Sequence, residues 1–205
     1  MPQNTTHTSF FTTSRYPVYH VKKLHLAIGQ YGRKIPPFSC GSTPSFMIDF
    51  IQLTAPERIL CRQALSSKKK ALQTVAELLG SGLADETVSE MDFLDALIGR
   101  EKLGSTGLGH GVALPHGRIS GLSEPLGALV TVEGGVDFDA PDGAPVDLLF
   151  GLVVPEKCSD KHLQILASLA KAFSSEAFRD ELREQRDPAG VMALLGAFDA
   201  AQATA

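Results

Sequence analysis

Val146 to Val154 reads VDLLFGLVV and is apolar on both alternating sets of positions, apart from Asp147 near its start. Successive side chains of a strand point to opposite faces, so a run apolar on both must be covered on both. Such a strand belongs in the middle of a sheet with packing above and below it. A chain that contains it needs helices to supply that cover.

The helices are legible at their usual period. Ser67 can cap a helix over Lys68 to Leu79, with Leu72, Val75, Ala76 and Leu79 on one face and Gly80 and Gly82 ending it. Lys68, Lys69 and Lys70 read as a solvated face. Thr87 or Ser89 can cap a second helix running to about Lys102, with Met91, Leu94, Leu97 and Ile98 expected inward. A later helix from about Asp160 to Phe173 carries Leu163, Leu166, Leu169, Ala170 and Phe173 at helical spacing. Ser175 starts another to about Gln185, and Pro188 opens a last one through Leu195, with 197–205 frayed. Residues 48–53 suit a short helical turn. Arg58 to Arg62, Val112 to Leu114 and Leu126 to Glu133 are the remaining strand candidates, and Gly134-Gly135 and Asp142-Gly143 the turns. Helices and strands thus mix in one α/β domain, spanning about residues 47–196.

Residues 1–46 have a different character. They hold five basic residues and no Asp or Glu, which leaves fourteen basic against all twenty-three acidic residues in the remainder. They show no sustained helical or strand period. An unstructured extension lying upstream of a true start at Met47 is the favoured reading, ahead of a disordered tail and a targeting arm; 47–205 is then the domain. An acidic body argues against nucleic acid as a partner. No run approaches the roughly eighteen apolar residues of a membrane span, so no membrane insertion is expected and a cytoplasmic location is the default. Cys40, Cys61 and Cys158 are odd in number and far apart, which suits free thiols in a reducing compartment.

Chemistry concentrates in Gly104 to Gly121, GSTGLGHGVALPHGRISG, which holds six glycines and two of the six histidines. It fails the tests for a P-loop and for GxGxxG, because Val112 follows where Lys-Ser/Thr is needed. It lacks the GxSxG elbow. Asp137, Asp139 and Asp142 do not make a calcium loop, since Pro141 and Leu148 fall at ligand positions. His110, His116 and His162 lack the paired spacing of a zinc site, so no metal and no cofactor is expected. What remains is His116, read as standing at the end of the Val112 to Leu114 strand, directly after Pro115. A neutral imidazole is nucleophilic near pH 7 and can accept a phosphoryl group. Such transfer needs alignment and donors for the phosphoryl oxygens more than covalent help. Arg100 could supply a cation, and the hydroxyls and N–H groups of Ser105, Thr106 and Gly111 could support the phosphate or the loop.

Arg100 to Gly109, REKLGSTGLG, followed by Gly111 to Gly117, GVALPHG, closely resembles the enzyme IIA domain of the fructose and mannitol class of the phosphoenolpyruvate-dependent phosphotransferase system. Phe138-Asp139-Ala140, Asp142-Gly143, Pro145 to Phe150 and Val153-Val154-Pro155 resemble its nitrogen-regulatory branch, as does Ser67-Lys68-Lys69 with Ala71-Leu72. The resemblance covers about residues 47–196. It implies a mixed β-sheet flanked by helices on both sides, with His116 taking phosphate from an HPr-like (NPr) phosphohistidine carrier, on Nε2. Arg100 matches the family's active-site arginine and His162 its second histidine; spacing alone leaves His162 equally readable as a core residue. His110 departs from the Asn that many members carry, and is a weaker candidate for loop support. The implied role is a phosphocarrier whose phosphorylation state regulates partner proteins that the sequence does not identify. The alternatives are a sugar-transport enzyme IIA that passes phosphate to a IIB domain, and a binding module never phosphorylated. Oligomeric state stays open, and the glycines are expected to leave room for the partner's phosphohistidine.

Overall fold

The VDLLFGLVV run forms the central strand. In the computed structural model, which describes residues 49–81, 83, 88–157 and 159–204, the elements in chain order are α1 (Phe50–Leu53), a 3-10 turn (Pro56–Arg58), β1 (Ile59–Gln63), α2 (Lys68–Gly80), α3 (Glu90–Glu101), β2 (Gly107–Gly109), β3 (Val112–Ala113), β4 (His116–Ile119), β5 (Leu126–Val136), β6 (Val146–Pro155), α4 (Ser159–Ser174), α5 (Glu176–Glu184) and α6 (Pro188–Gln202). The sheet order is β1-β5-β6-β3-β2, with β4 also paired to β6. β5 runs antiparallel to β6, whereas β1 on β5 and both β3 and β4 on β6 are parallel. The sheet is therefore mixed, with helices on both faces.

Alternation along β6 builds the two cores. Leu149 and Val153 pack under α2 and α3 with Val75, Leu79, Phe93 and Leu97. Leu148, Phe150, Leu152 and Val154 face α1, α4, α5 and α6 through Phe50, Leu169, Phe173, Phe178 and Leu195. Each large side chain buried this way contributes roughly 1.5–3 kcal/mol relative to exposure. The caps read from sequence hold: Ser67 accepts from the Lys70 N–H, Ser175 from that of Phe178, and Ser89 forms a reciprocal box with Asp92.

Several expectations fail for physical reasons. Met91 and Leu163 are exposed, at 62% and 65%, because α3 turns Phe93 and Leu97 inward and α4 turns Leu169, Ala172 and Phe173 inward. Gly134-Gly135 does not end β5. Both glycines have positive φ (73° and 69°) and form an irregularity between Thr131 and Val136, after which the strand resumes opposite Val146. α6 continues to Gln202, well past Ala197, because Phe198 and Asp199 of its last turns pack against α1. The expectation for residues 1–46 lies outside the described residues, as does Thr87 as an alternative cap.

Candidate functional site

His116 is the first residue of β4, a correction to its placement at the end of the preceding strand. Val112 lies opposite Leu148 and His116 opposite Leu152, so β3 and β4 keep one register along β6. Pro115 has no N–H to give the ladder and splits the strand, although its carbonyl still accepts from the Leu152 N–H at 2.9 Å. β4 thus flanks β6 on the side away from β5, and His116 lies on the sheet face that α4 covers. The next residue, Gly117, points the other way. A Cβ there would lie 2.9 Å from that of Ala96, so the glycine lets α3 pack closely on β4. One turn along α3 from Ala96 is Arg100, and close packing delivers it to the imidazole.

The Arg100 Nε–H donates to His116 Nε2 at 3.0 Å, and its Nη1 donates to the Gly104 carbonyl at 2.9 Å. His116 Nδ1 stands 2.8 Å from the Leu114 carbonyl. A guanidinium can only donate and a carbonyl can only accept, so the ring carries its proton on Nδ1 and its lone pair on Nε2. Burial pushes the His116 imidazole below its ordinary value, and Arg100 and Arg118 add to that against the Leu114 carbonyl and Glu101. From the opposite side α4 brings His162, whose ring centre lies 5.3 Å away at 74°. His162 is 5% exposed, and its Nδ1 is buried with no partner among the described residues. Burial, then His116, Arg118 and Arg100, lower it to about 4. Both rings are neutral at pH 7. Among the described residues no carboxylate lies within ion-pair distance of Arg100, so its charge is available to an anion.

The other candidates divide. The Ser105 hydroxyl donates to the Phe138 carbonyl at 2.6 Å and accepts from the Gly107 N–H, while that of Thr106 donates to Glu101 at 2.5 Å. Both hydroxyls are committed to the loop's own shape. His110 and Gly111 lie beside Asp147, five residues back along β6 from Leu152, roughly 16 Å at strand rise. His110 has φ 56°, its N–H donates to Asp142, and its carbonyl accepts from Arg183. That left-handed backbone is one that Asn adopts more readily than most residues. A cavity of about 400 Å³ there, lined by His110, Gly135, Pro145, Asp147 and Arg183, has its arginine already matched by Asp147. Two of the loop glycines have a packing reason of their own: a Cβ on Gly111 would meet Asp147 and Arg183, and one on Gly117 would meet Ala96.

Sequence reasoning gave Arg118 and Glu101 no role and read Lys68 only as solvated. Arg118 shares the His116 face of β4, a parity visible once a strand is drawn through both. Glu101, 8% exposed, holds Thr106, and Lys68 holds Glu101 at 2.6 Å, so Lys68 is not simply part of a solvated face.

With this geometry in place the chain can be set beside known proteins. Residues 52–197 match the family model described as phosphoenolpyruvate-dependent sugar phosphotransferase system, EIIA 2. The chain belongs to that family. It is 42% identical over 137 residues to a nitrogen regulatory protein of Pseudomonas aeruginosa, covering 67% of this chain and 88% of the relative. The crystal structure of the nitrogen regulatory protein IIA-Ntr from Neisseria meningitidis superposes with a TM-score of 0.66 at 38% identity, over 71% of this chain and 98% of that one. A fructose-specific EIIA component of Haloferax volcanii is 34% identical, over 66% of this chain and 87% of its own length. This EIIA chain is a phosphocarrier component of the nitrogen-regulatory branch, as the sequence resemblance implied. Among its described residues no helix is long and apolar enough to cross a membrane.

Proposed function

We propose that this EIIA accepts a phosphoryl group on His116 Nε2 from the phosphohistidine of a small HPr-like (NPr) carrier, in the cytoplasm, and regulates partner proteins according to its phosphorylation state. The observation that carries this reading is the fixed imidazole: Nδ1–H bound to the Leu114 carbonyl, the Nε2 lone pair facing Arg100, and a guanidinium that no carboxylate among the described residues pairs. In the transfer the Nε2 lone pair forms a bond to phosphorus as the donor's N–P bond breaks, and the donor ring keeps that electron pair. His116 needs no base, because its nucleophilic nitrogen carries no proton. Arg100 must give up its bond to Nε2 as phosphorus arrives, and its charge then faces the phosphoryl oxygens. His162, neutral and with no partner for Nδ1 among the described residues, stands as the second group beside the phosphoryl. Ser105 and Thr106 shape the near side of the loop, and Gly111 and His110 hold its far end.

The test is incubation with phosphoenolpyruvate, enzyme I and an HPr-like carrier, followed by intact mass. One acid-labile phosphoryl group should appear and should be absent from His116→Ala. No adduct with competent carriers, or an equal adduct in His116→Ala, would overturn the reading and leave a binding module. The Haloferax volcanii relative favours a second reading, transfer onward to a IIB domain of a fructose or mannitol transporter. Restored growth on fructose or mannitol in a strain lacking its own IIA would select it.

A further inference from the structure

Behind the site runs a line of hydrogen bonds that reaches α2. Lys68 Nζ donates to Glu101 Oε1 at 2.6 Å. The Thr106 N–H donates to both Glu101 oxygens, at 3.2 and 3.1 Å, and its hydroxyl to Oε2 at 2.5 Å. The Thr106 carbonyl accepts from the Leu114 N–H at 3.0 Å, and the Leu114 carbonyl accepts from His116 Nδ1. Lys68 is tied in turn to the Phe138 carbonyl at 3.1 Å and to Asp139 at 3.0 Å, with its ammonium 4.8 Å from the Phe138 ring centre. We propose that Glu101 and Lys68 are positioning residues for phosphoryl transfer, holding the peptide that fixes the tautomer and direction of the His116 ring.

Two considerations favour this role over one in stability alone. A carboxylate and an ammonium with side chains only 6% and 23% exposed are an expensive way to stabilise a fold, since an apolar pair of similar size commonly does as well or better. The pair is also placed where its loss reaches both halves of the site. Glu101 directly follows Arg100 in the last turn of α3, so the turn that presents the guanidinium to Nε2 is anchored by the same carboxylate that, through Thr106 and Leu114, holds Nδ1. Moving the nucleophile by a fraction of an ångström is enough to slow an in-line transfer considerably.

The role rests on His116 being the phosphoryl acceptor, so the experiment reads the ring separately from the reaction. Glu101→Gln, Lys68→Met and the apolar double variant K68M/E101M are compared with wild type, using Arg183→Met as a control that removes an ion pair elsewhere. Histidine ¹⁵N spectra of the unphosphorylated proteins report the tautomer, and amide spectra report the fold. In wild type His116 should show one neutral form protonated at Nδ1. In the folded variants it should show mixed tautomers or fast Nδ1–H exchange, with phosphoryl uptake slowed on the order of 10- to 100-fold, and Arg183→Met should match wild type in both. If Glu101→Gln does not fold, Lys68→Met and the double variant make the same comparison. Wild-type uptake rates with unchanged His116 nitrogen signals in folded variants overturn the positioning role. A wild-type protein that takes up no phosphoryl overturns the acceptor reading, whatever the variants' spectra show.

Discussion

Two arginines stand near two histidines along the same stretch of β6, and their surroundings separate them. Arg183 at the far end is clasped by Asp147 through both oxygens, at 2.8 and 2.9 Å, and by Asp180 at 3.0 Å, and it holds the His110 carbonyl. Arg100 at the near end has, among the described residues, a neutral imidazole and one carbonyl for partners. A guanidinium matched by carboxylates has little charge left for a ligand, and one held only by neutral groups keeps it. The first ties loops together, and the second is built to meet an anion. The same contrast separates the histidines, since His110 contributes its backbone and His116 its ring.

The sharpest way to break this comparison is to remove both arginines in turn. Arg100→Met should slow phosphoryl uptake on the order of 100- to 1,000-fold in a mass time course, the loss typical of one charge-stabilising donor, with little change in melting temperature. A rate within a few-fold of wild type would show that the free guanidinium is not used. Next is Gly117→Ala, which pushes α3 off β4 at the Ala96 contact and carries Arg100 with it. Uptake should fall roughly 10-fold and stability by about 1–3 kcal/mol, read by the same assay and by denaturant titration. Arg183→Met should do the converse, lowering stability by about 2 kcal/mol and leaving uptake unchanged; slower uptake would join the two ends of the strand.

The smallest effects are in pH. His162 has a folded value of about 4, below its ordinary one, so its contribution to stability is full above about pH 6.5 and is lost as pH falls towards 4. Asp199, which accepts the Ile51 N–H, is pushed up to about 6, chiefly by burial, with Asp49 adding to it. Its protonation favours the folded state, a contribution present below about pH 4 and lost as pH rises through 6. The two oppose each other in the same window. Stability of the wild type should therefore change little between pH 6 and 4 on their account, whereas, relative to wild type, His162→Gln should gain and Asp199→Asn lose stability on acidification, each by about 1–2 kcal/mol. Parallel acid titrations of all three proteins would refute this.

Much of the architecture was legible because apolar period and capping are local. VDLLFGLVV demanded two covered faces, Ser67, Ser89 and Ser175 marked helix starts, and the order of elements followed. The motif singled out His116 and Arg100, and the structure sets both Arg100 and His162 against the His116 ring, a proximity that spacing alone left open. Met91, Leu163 and the Gly134-Gly135 pair were misread because a few residues of period do not say which side of a helix meets the sheet, or whether two glycines turn a strand or bend it.

What the sequence determined by itself is the layer order and the presence of one histidine amid a loop whose backbone could be shaped closely. Only the tertiary structure decided which nitrogen of that histidine carries the lone pair, because the deciding groups are the Leu114 carbonyl and a guanidinium sixteen residues earlier in the chain. It alone separated the charged residues as well. Lys68 and Glu101 lie on different helices and are thirty-three residues apart, and their pairing depends on the packing of α2 against α3 and not on anything either residue's neighbours display. Local order fixes where elements begin and end, but hydrogen bonds and charges act across space, and their partners exist only once the layers have closed.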